Sequence, residues 1–279
     1  MELHRGDAAY PFALDDCPDP PRVLWARGDL SLLDRPTVAI VGTRRATEYA
    51  ERVTRQLATT LARAGACVIS GLASGVDATA HRGALEVGGA TAAVLGTGLD
   101  VCYPRAHAPL QREIGERGLL LSELTPQNAA HRGSFPRRNR IIAALAKVTI
   151  VVEAGVKSGA LITASHALDM GRTVAAVPGP IDVPQSRGSN ELLRDGATLI
   201  AGMADAVALL GLTAPIRLQE LPEGGAERSV WDALDRGGLD LESLSARASL
   251  PAHRTLAAVS ALELRGLVEC ALSGEIRRM

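Results

Sequence analysis

Seven short runs, 37–41, 66–69, 90–95, 119–121, 148–152, 173–177 and 197–200, recur along the chain, rich in β-branched and apolar residues and lacking polar alternation. A strand that is apolar on both faces is covered on both faces, and in soluble proteins that means a parallel sheet between helices. The stretches 47–63 and 160–170 supply such helices, with apolar residues at helical spacing. Parallel strands must be joined by crossovers, so the alternation predicts an α/β fold built on a doubly wound parallel sheet.

The first 35 residues are rich in proline and charge and read as an extended lead-in with no fold of its own, which leaves 36–212 for the sheet domain. Residues 213–226, with Pro215, Pro222 and Gly224-Gly225, read as a linker. In 227–279, Ser229 is expected to cap a first helix, 239–248 forms a second, and Pro251 opens a third that runs to Arg265. Two short strands around Gly274 follow, so this end resembles a small winged-helix-like domain, a shape used for DNA and for protein contacts alike.

The densest chemistry lies in His131-Arg132-Gly133-Ser134-Phe135-Pro136-Arg137-Arg138-Asn139-Arg140, where four arginines and one ring surround the start of a helix. Pro136 suits the first helical position, and Ile141 to Ala146 continue the helix. Cations at a helix N-terminus oppose its dipole, at about 0.3–1 kcal/mol each, so stability alone would not place them there. Free N–H groups, guanidinium groups and a ring together suit an anion with a flat face, such as a nucleotide or a single-stranded nucleic acid. Phe135 is notable in a chain only 3% aromatic. It is expected either to stack on a base or to staple the helix it precedes.

Other loops add phosphate ligands. Gly42-Thr43-Arg44 follows the first apolar run and leads into a helix, where a doubly wound sheet presents backbone N–H groups to phosphate. Lys157-Ser158-Gly159 closes another strand-to-helix loop, without the spacing of a Walker A motif. Gly96-Thr97-Gly98 looks like a dinucleotide fingerprint, but Val101 replaces the third glycine and Tyr103-Pro104 interrupts the helix, which argues against a nicotinamide or flavin site. Asp77 and His81, four apart, are expected to serve a structural hydrogen bond, and Ser189 or Asn190 to cap a helix. Glu123 and Glu153 sit just past strand ends, where catalytic carboxylates are often found.

With 30 basic and 31 acidic residues the formal charge is −1, so nucleic-acid binding must come from local clustering. The four cysteines form no C-x-x-C pair and no histidine cluster completes a metal pattern, so neither a metal nor a cofactor is expected. The N-terminal residues lack the apolar core of a signal peptide and no segment approaches the roughly 20 apolar residues that span a bilayer, so a cytoplasmic location without membrane contact is expected.

In order, Gly42-Thr43-Arg44, Ser70 to Asp77, Gly96 to Pro104, Phe135 to Arg140, Gly159 to Ala164, Val177-Pro178-Gly179 and Gly188-Ser189-Asn190 resemble the motifs of the DNA-processing protein A family, also called Smf. The resemblance covers about 10–212 and, more loosely, the C-terminal end. It implies an extended Rossmann fold, binding of single-stranded DNA without marked sequence preference, a homodimer, and help in loading the RecA recombinase during natural transformation, with no catalytic reaction. Carried over by motif, Gly42, Thr43, Arg44, Arg132, Phe135, Arg137, Arg138, Asn139, Arg140, Lys157 and Ser158 are the expected DNA-binding residues. Thr43 stands where serine is common, His107 where the Tyr-Pro motif usually continues to asparagine, and Glu123-Leu124-Thr125-Pro126 replaces a more aromatic version. The helical N-terminal domain of many members is expected to be absent or reduced. The rival class is a hydrolase of nucleotide N-glycosidic bonds, using Asp77, Glu123 or Glu153, although the Pro-Gly-Gly-x-Gly-Thr signature of such enzymes is missing.

Overall fold

The computed structural model describes residues 1–131, 133–213, 222, 224–234, 238–264, 267–271 and 274–278. The chain divides into two compact units, Met1–Pro215 and Ile216–Met279.

The first unit is built on one nine-stranded sheet. Seven strands are parallel: β3 (Thr37–Val41), β4 (Cys67–Ser70), β5 (Thr91–Val94), β6 (Leu119–Ser122), β7 (Val148–Val151), β8 (Thr173–Ala176) and β9 (Thr198–Leu199). Each lies within a residue or two of its apolar run. β3 to β7 are buried at every position, as expected for strands covered on both sides. β1 (Glu2–His4) and β2 (Val23–Gly28) extend the β6 edge antiparallel, giving the order β1-β2-β6-β5-β4-β3-β7-β8-β9.

The expected extended lead-in is therefore corrected, because residues 1–35 are part of this unit. Leu3, Tyr10, Leu14, Cys17 and Leu24 are buried in its core, and the Tyr10 hydroxyl donates to Pro21 O at 2.7 Å. In β2, Leu24 and Ala26 are buried and Val23 and Trp25 half-buried, the period-two pattern of a strand with one face turned to the core. Proline and charge in the segment hide that short run.

Helices α1 (Glu48–Arg63), α2 (Val76–Glu86) and α3 (Ala108–Arg117) join β3 to β6 in sequence, and α4 (Ser134–Leu145), α5 (Gly159–Asp169) and α6 (Arg187–Arg194) carry the chain through β7, β8 and β9, after which α7 (Met203–Leu209) follows. α1 and α2 pack with α7 in one core, and α4 and α5 pack in another with the N-terminal segment. The parallel part of the sheet starts in mid-sheet at β3, adds β4, β5 and β6 to one side, then returns to add β7 on the other. Loops after β3 and β7 therefore diverge, and the crevice of a doubly wound sheet opens between them.

Three helix starts differ from expectation. α4 begins at Ser134, so Pro136 is its third residue rather than its first. α6 begins at Arg187 after Ser186, and Asn190 inside it uses its side-chain amide to bracket Gly179, donating to its O at 2.9 Å and accepting from its N at 3.0 Å. In the second unit, α8 (Gly225–Ala233) starts before Ser229, whose hydroxyl instead donates back to Gly225 O.

That unit continues with α9 (Leu241–Ala248), capped by Asp240, then α10 (Ala252–Leu264) and the antiparallel strands β10 (Val268–Cys270) and β11 (Ile276–Arg278). Val230, Trp231, Leu244, Val259 and Leu262 form its core. Most of the expected linker, Pro215 included, lies outside the described residues.

Candidate nucleic-acid interface

The crevice at the β3/β7 switch point has a volume of about 710 Å³. Gly42, Thr43 and Arg44 form one wall, Phe135, Arg138 and Asn139 a second, and Lys157 and Ser158 a third. Eight of the eleven expected site residues thus meet, from segments far apart in sequence.

The first wall is a loop folded tightly onto its neighbours. Thr43 N donates to Glu153 O at 2.6 Å, and a Cβ at Gly42 would stand 2.5 Å from Val76 Cγ2 and 2.9 Å from that same carbonyl, so only glycine fits. The Glu153 carboxylate, buried at the end of β7, accepts from Thr47 N at 3.1 Å and Thr47 Oγ1 at 2.8 Å. It holds the loop where α1 begins. Arg44 and its neighbour Arg45, missed by motif reading, are left exposed at the mouth.

The second wall sorts the arginine stretch in two. Arg138 is only 5% exposed and lies flat on the loop after β4, donating to Gly71 O at 2.7 Å and also to Val94 O. A Cβ at Gly71 would come within 2.5 Å of its guanidinium carbon. Asp77 stands behind it and accepts from Gly71 N at 3.1 Å and Ala73 N at 3.4 Å. Burial raises the Asp77 carboxyl above its ordinary range, against the pull of Arg138 and these N–H groups, and brings Arg138 down to about 10 against the pull of Asp77. Asp77 and His81 do not bond to each other. His81 Nδ1 instead pairs with Thr91 Oγ1 at 2.8 Å.

Arg140 is also turned inward, correcting its expected place on phosphate. It donates to the Glu123 carboxylate at 2.7 and 3.0 Å and to Asp19 O at 2.9 Å, and it does not reach the crevice. Arg137 is exposed but paired with Glu123 at 3.0 Å and Asp19 at 3.4 Å, also outside the crevice. Arg132 lies outside the described residues. The start of α4 offers few free donors besides, because Pro136 has no N–H and Ser134 N is taken by His131 O.

Phe135 is half-buried. One side of its ring rests on Gly96, where a Cβ would stand 2.6 Å from Cδ1; the Arg44 guanidinium carbon lies 5.5 Å from its centroid, and the Tyr103 ring lies 5.1 Å away at 43°. Both contacts are of the kind that orients a ring, cation–π and tilted aromatic pairing. Gly96 is thus explained by its approach to Phe135 rather than by a dinucleotide.

On the third wall Ser158 caps α5 by accepting from Ala160 N at 3.3 Å, Asn139 Nδ2 donates to Gly159 O at 3.1 Å, and Lys157 is exposed. Among the described residues, Arg44, Arg45 and Lys157 have no carboxylate partner. The crevice therefore carries unpaired positive charge around a ring, with Asp77 already engaged. No group of acidic, histidine and cysteine residues able to hold a metal occurs among the described residues.

Residues 2–211 match the family model of DNA recombination-mediator protein A. The chain belongs to that family. It is 40% identical over 264 residues to the putative DNA processing protein DprA of Mycobacterium tuberculosis, covering 91% of this chain and 68% of that one. The DNA processing protein DprA of Streptococcus pneumoniae is 43% identical over 72% of this chain and 71% of its own. The chain spans 52% of the length of the Synechocystis protein Smf, to which it is 43% identical over 74% of its own residues. Among solved structures, the crystal structure of the pneumococcal protein superposes with a TM-score of 0.72 at 41% identity, covering 75% of this chain and 73% of that one. The DNA processing protein A of Helicobacter pylori, described for its single-stranded DNA binding mode, superposes with a TM-score of 0.69 at 38% identity, covering 76% and 95%.

Proposed function

We propose that this protein binds single-stranded DNA without sequence preference in the β3/β7 crevice. In this reading Arg44, Arg45 and Lys157 meet phosphates and Phe135 stacks on a base. The observation that carries it is the set of three unpaired cations around a half-exposed ring, with Arg44 5.5 Å from the ring centroid. A backbone-plus-stacking site of this kind tolerates any base, because every base has a π-face. The H. pylori relative, whose described property is single-stranded DNA binding, supports the same ligand. Arg138, Arg140 and Arg137 hold the wall in place rather than meeting the strand.

In the same reading the protein is a cytoplasmic homodimer that protects incoming DNA and delivers it to the RecA recombinase in natural transformation, a role to which its family membership lends support. Among the described residues no helix is long and apolar enough to cross a membrane. Each of the three carboxylates from which a glycosidic hydrolase could draw its acid is engaged: Asp77 with backbone N–H groups, Glu123 with Arg140 and Arg137, and Glu153 with Thr47. A binding role without catalysis accords with that.

Fluorescence anisotropy against single- and double-stranded oligonucleotides tests the reading. The single strand is expected to bind more tightly. Arg44→Ala should weaken all single-stranded sequences alike and flatten the salt dependence by roughly 0.7 for each phosphate no longer neutralised. An unchanged salt slope removes Arg44 from the interface. Light scattering checks the dimer, and capture of RecA by immobilised protein checks the recombinase interaction.

A further inference from the structure

The crevice accounts for Phe135 but not for the ring beside it. Tyr103 follows β5 in the loop that begins at Gly96, and it is 50% exposed, one of few large apolar side chains left in water. Its ring is 5.1 Å from Phe135 at 43°, and its hydroxyl has no hydrogen-bond partner among the described residues. It adds neither a buried hydrogen bond nor a filled core position to the fold. It does not line the crevice, but its ring touches Phe135, which also carries Arg44.

By the strands their loops follow, Lys157 comes after β7, Arg44 after β3 and Tyr103 after β5, where Phe135 rests on Gly96 of the same loop, so the order of these residues runs along the C-terminal edge of the sheet from β7 past β3 toward β5. β7 and β5 are three strand positions apart, about 14 Å at the usual strand spacing. That length matches about four nucleotides at the roughly 3.4 Å rise of a stacked strand. The cations fill the β7–β3 end of this order and the two rings the other. Charge and stacking are thus offered in succession rather than at one point, as grooves that track a single strand do.

We infer that Tyr103 is a second stacking residue, which receives the base next to the one on Phe135 and extends the binding site out of the crevice along the sheet edge toward β5. This rests on the crevice being a single-stranded DNA site and adds the direction in which the strand leaves it. The contact is made by the ring face, so the hydroxyl is dispensable.

The test uses the full chain with oligothymidylates of two to twelve nucleotides, comparing wild type, Tyr103→Ala and Tyr103→Phe by anisotropy. Wild type is expected to gain affinity with length. Tyr103→Ala should bind the dinucleotide as wild type does but lose roughly fivefold or more on the longer strands, while Tyr103→Phe stays within about twofold throughout. Irradiation of wild type with 5-iododeoxyuridine placed at each position in turn should give an adduct on Tyr103 from a base adjacent to the one that marks Phe135. Equal affinity of wild type and Tyr103→Ala at every length overturns the inference, and so does equal loss in the Phe and Ala variants. Phe135 adducts without any on Tyr103 overturn it as well. If wild type binds no strand of any length, the DNA reading of the crevice falls instead, and the two failures are told apart.

Discussion

His81 shows how far a single side chain here depends on burial. The Thr91 hydroxyl donates its one hydrogen to Val68 O at 2.7 Å, so the 2.8 Å approach to His81 requires His81 Nδ1–H to donate, leaving Nε2 bare and without a partner among the described residues. Burial, with the positive charge of Arg138 next in effect, brings the imidazole down to about 3. A histidine held neutral in the fold but free to ionise near 6.5 when unfolded costs the fold nothing above pH 6.5. Stability then falls as pH drops from 6.5 toward 3, by an amount on the order of 5 kcal/mol. His81→Asn keeps an N–H for Thr91 and cannot ionise, so denaturant unfolding between pH 6.5 and 4 should show a flatter acid limb than wild type. A neighbouring case is His107, which occupies the position where asparagine is usual: its Nδ1–H donates to Leu72 O at 3.0 Å, and Leu72 sits at φ +58°, a strained value for a branched side chain. The departure from the family motif thus holds a strained loop.

At the scale of the element, α4 divides its work by helical geometry. Ser134, Arg138, Ile141, Ile142 and Leu145 are on its buried face, Phe135 and Asn139, four apart, face the crevice, and Pro136 and Arg137 are exposed. The two sequence readings of Phe135, base platform or helix staple, are therefore not exclusive, since the ring rests on Gly96 and also borders the crevice. Phe135→Ala is expected to weaken single-stranded DNA binding by roughly tenfold, as removal of one stacked base does. It should also lower Tm by a few degrees, on the order of 1 kcal/mol for half-burial of a ring. Phe135→Trp should keep the affinity. Anisotropy and thermal melting on the same preparations check both, and a large drop in Tm with affinity intact would make the ring purely structural.

For the whole molecule, the crevice and three apolar cores belong to Met1–Pro215, while Ile216–Met279 has a separate core of its own. A protein ending at Leu212 should fold cooperatively and keep single-stranded DNA affinity within about threefold, since Asp240, Glu242 and Glu263 make the C-terminal unit poorly suited to phosphate. Circular dichroism and anisotropy decide it, and a folded truncation that binds nothing would move the site to residues 216–279. What the sequence determined by itself was local. Strands buried on both faces announce their burial in their own composition, and glycine turns announce theirs, so the parallel sheet and the loops of the crevice were legible from Thr37 onward, whereas the helix starts at Ser134, Arg187 and Gly225 were not. Which of the arginines between Arg137 and Arg140 meets solvent was decided only by tertiary structure. Neighbours on a helix point about 100° apart, so Arg137 and Arg138 meet different surroundings. The face that is buried is chosen by partners far along the chain: Gly71 and Val94 for Arg138, Asp19 and Glu123 for Arg140. The same holds for Tyr103, which in sequence only interrupts a helix and beside Phe135 completes a pair of rings. Local pattern fixes how a segment folds, whereas a guanidinium or a ring takes its role from what the fold brings against it.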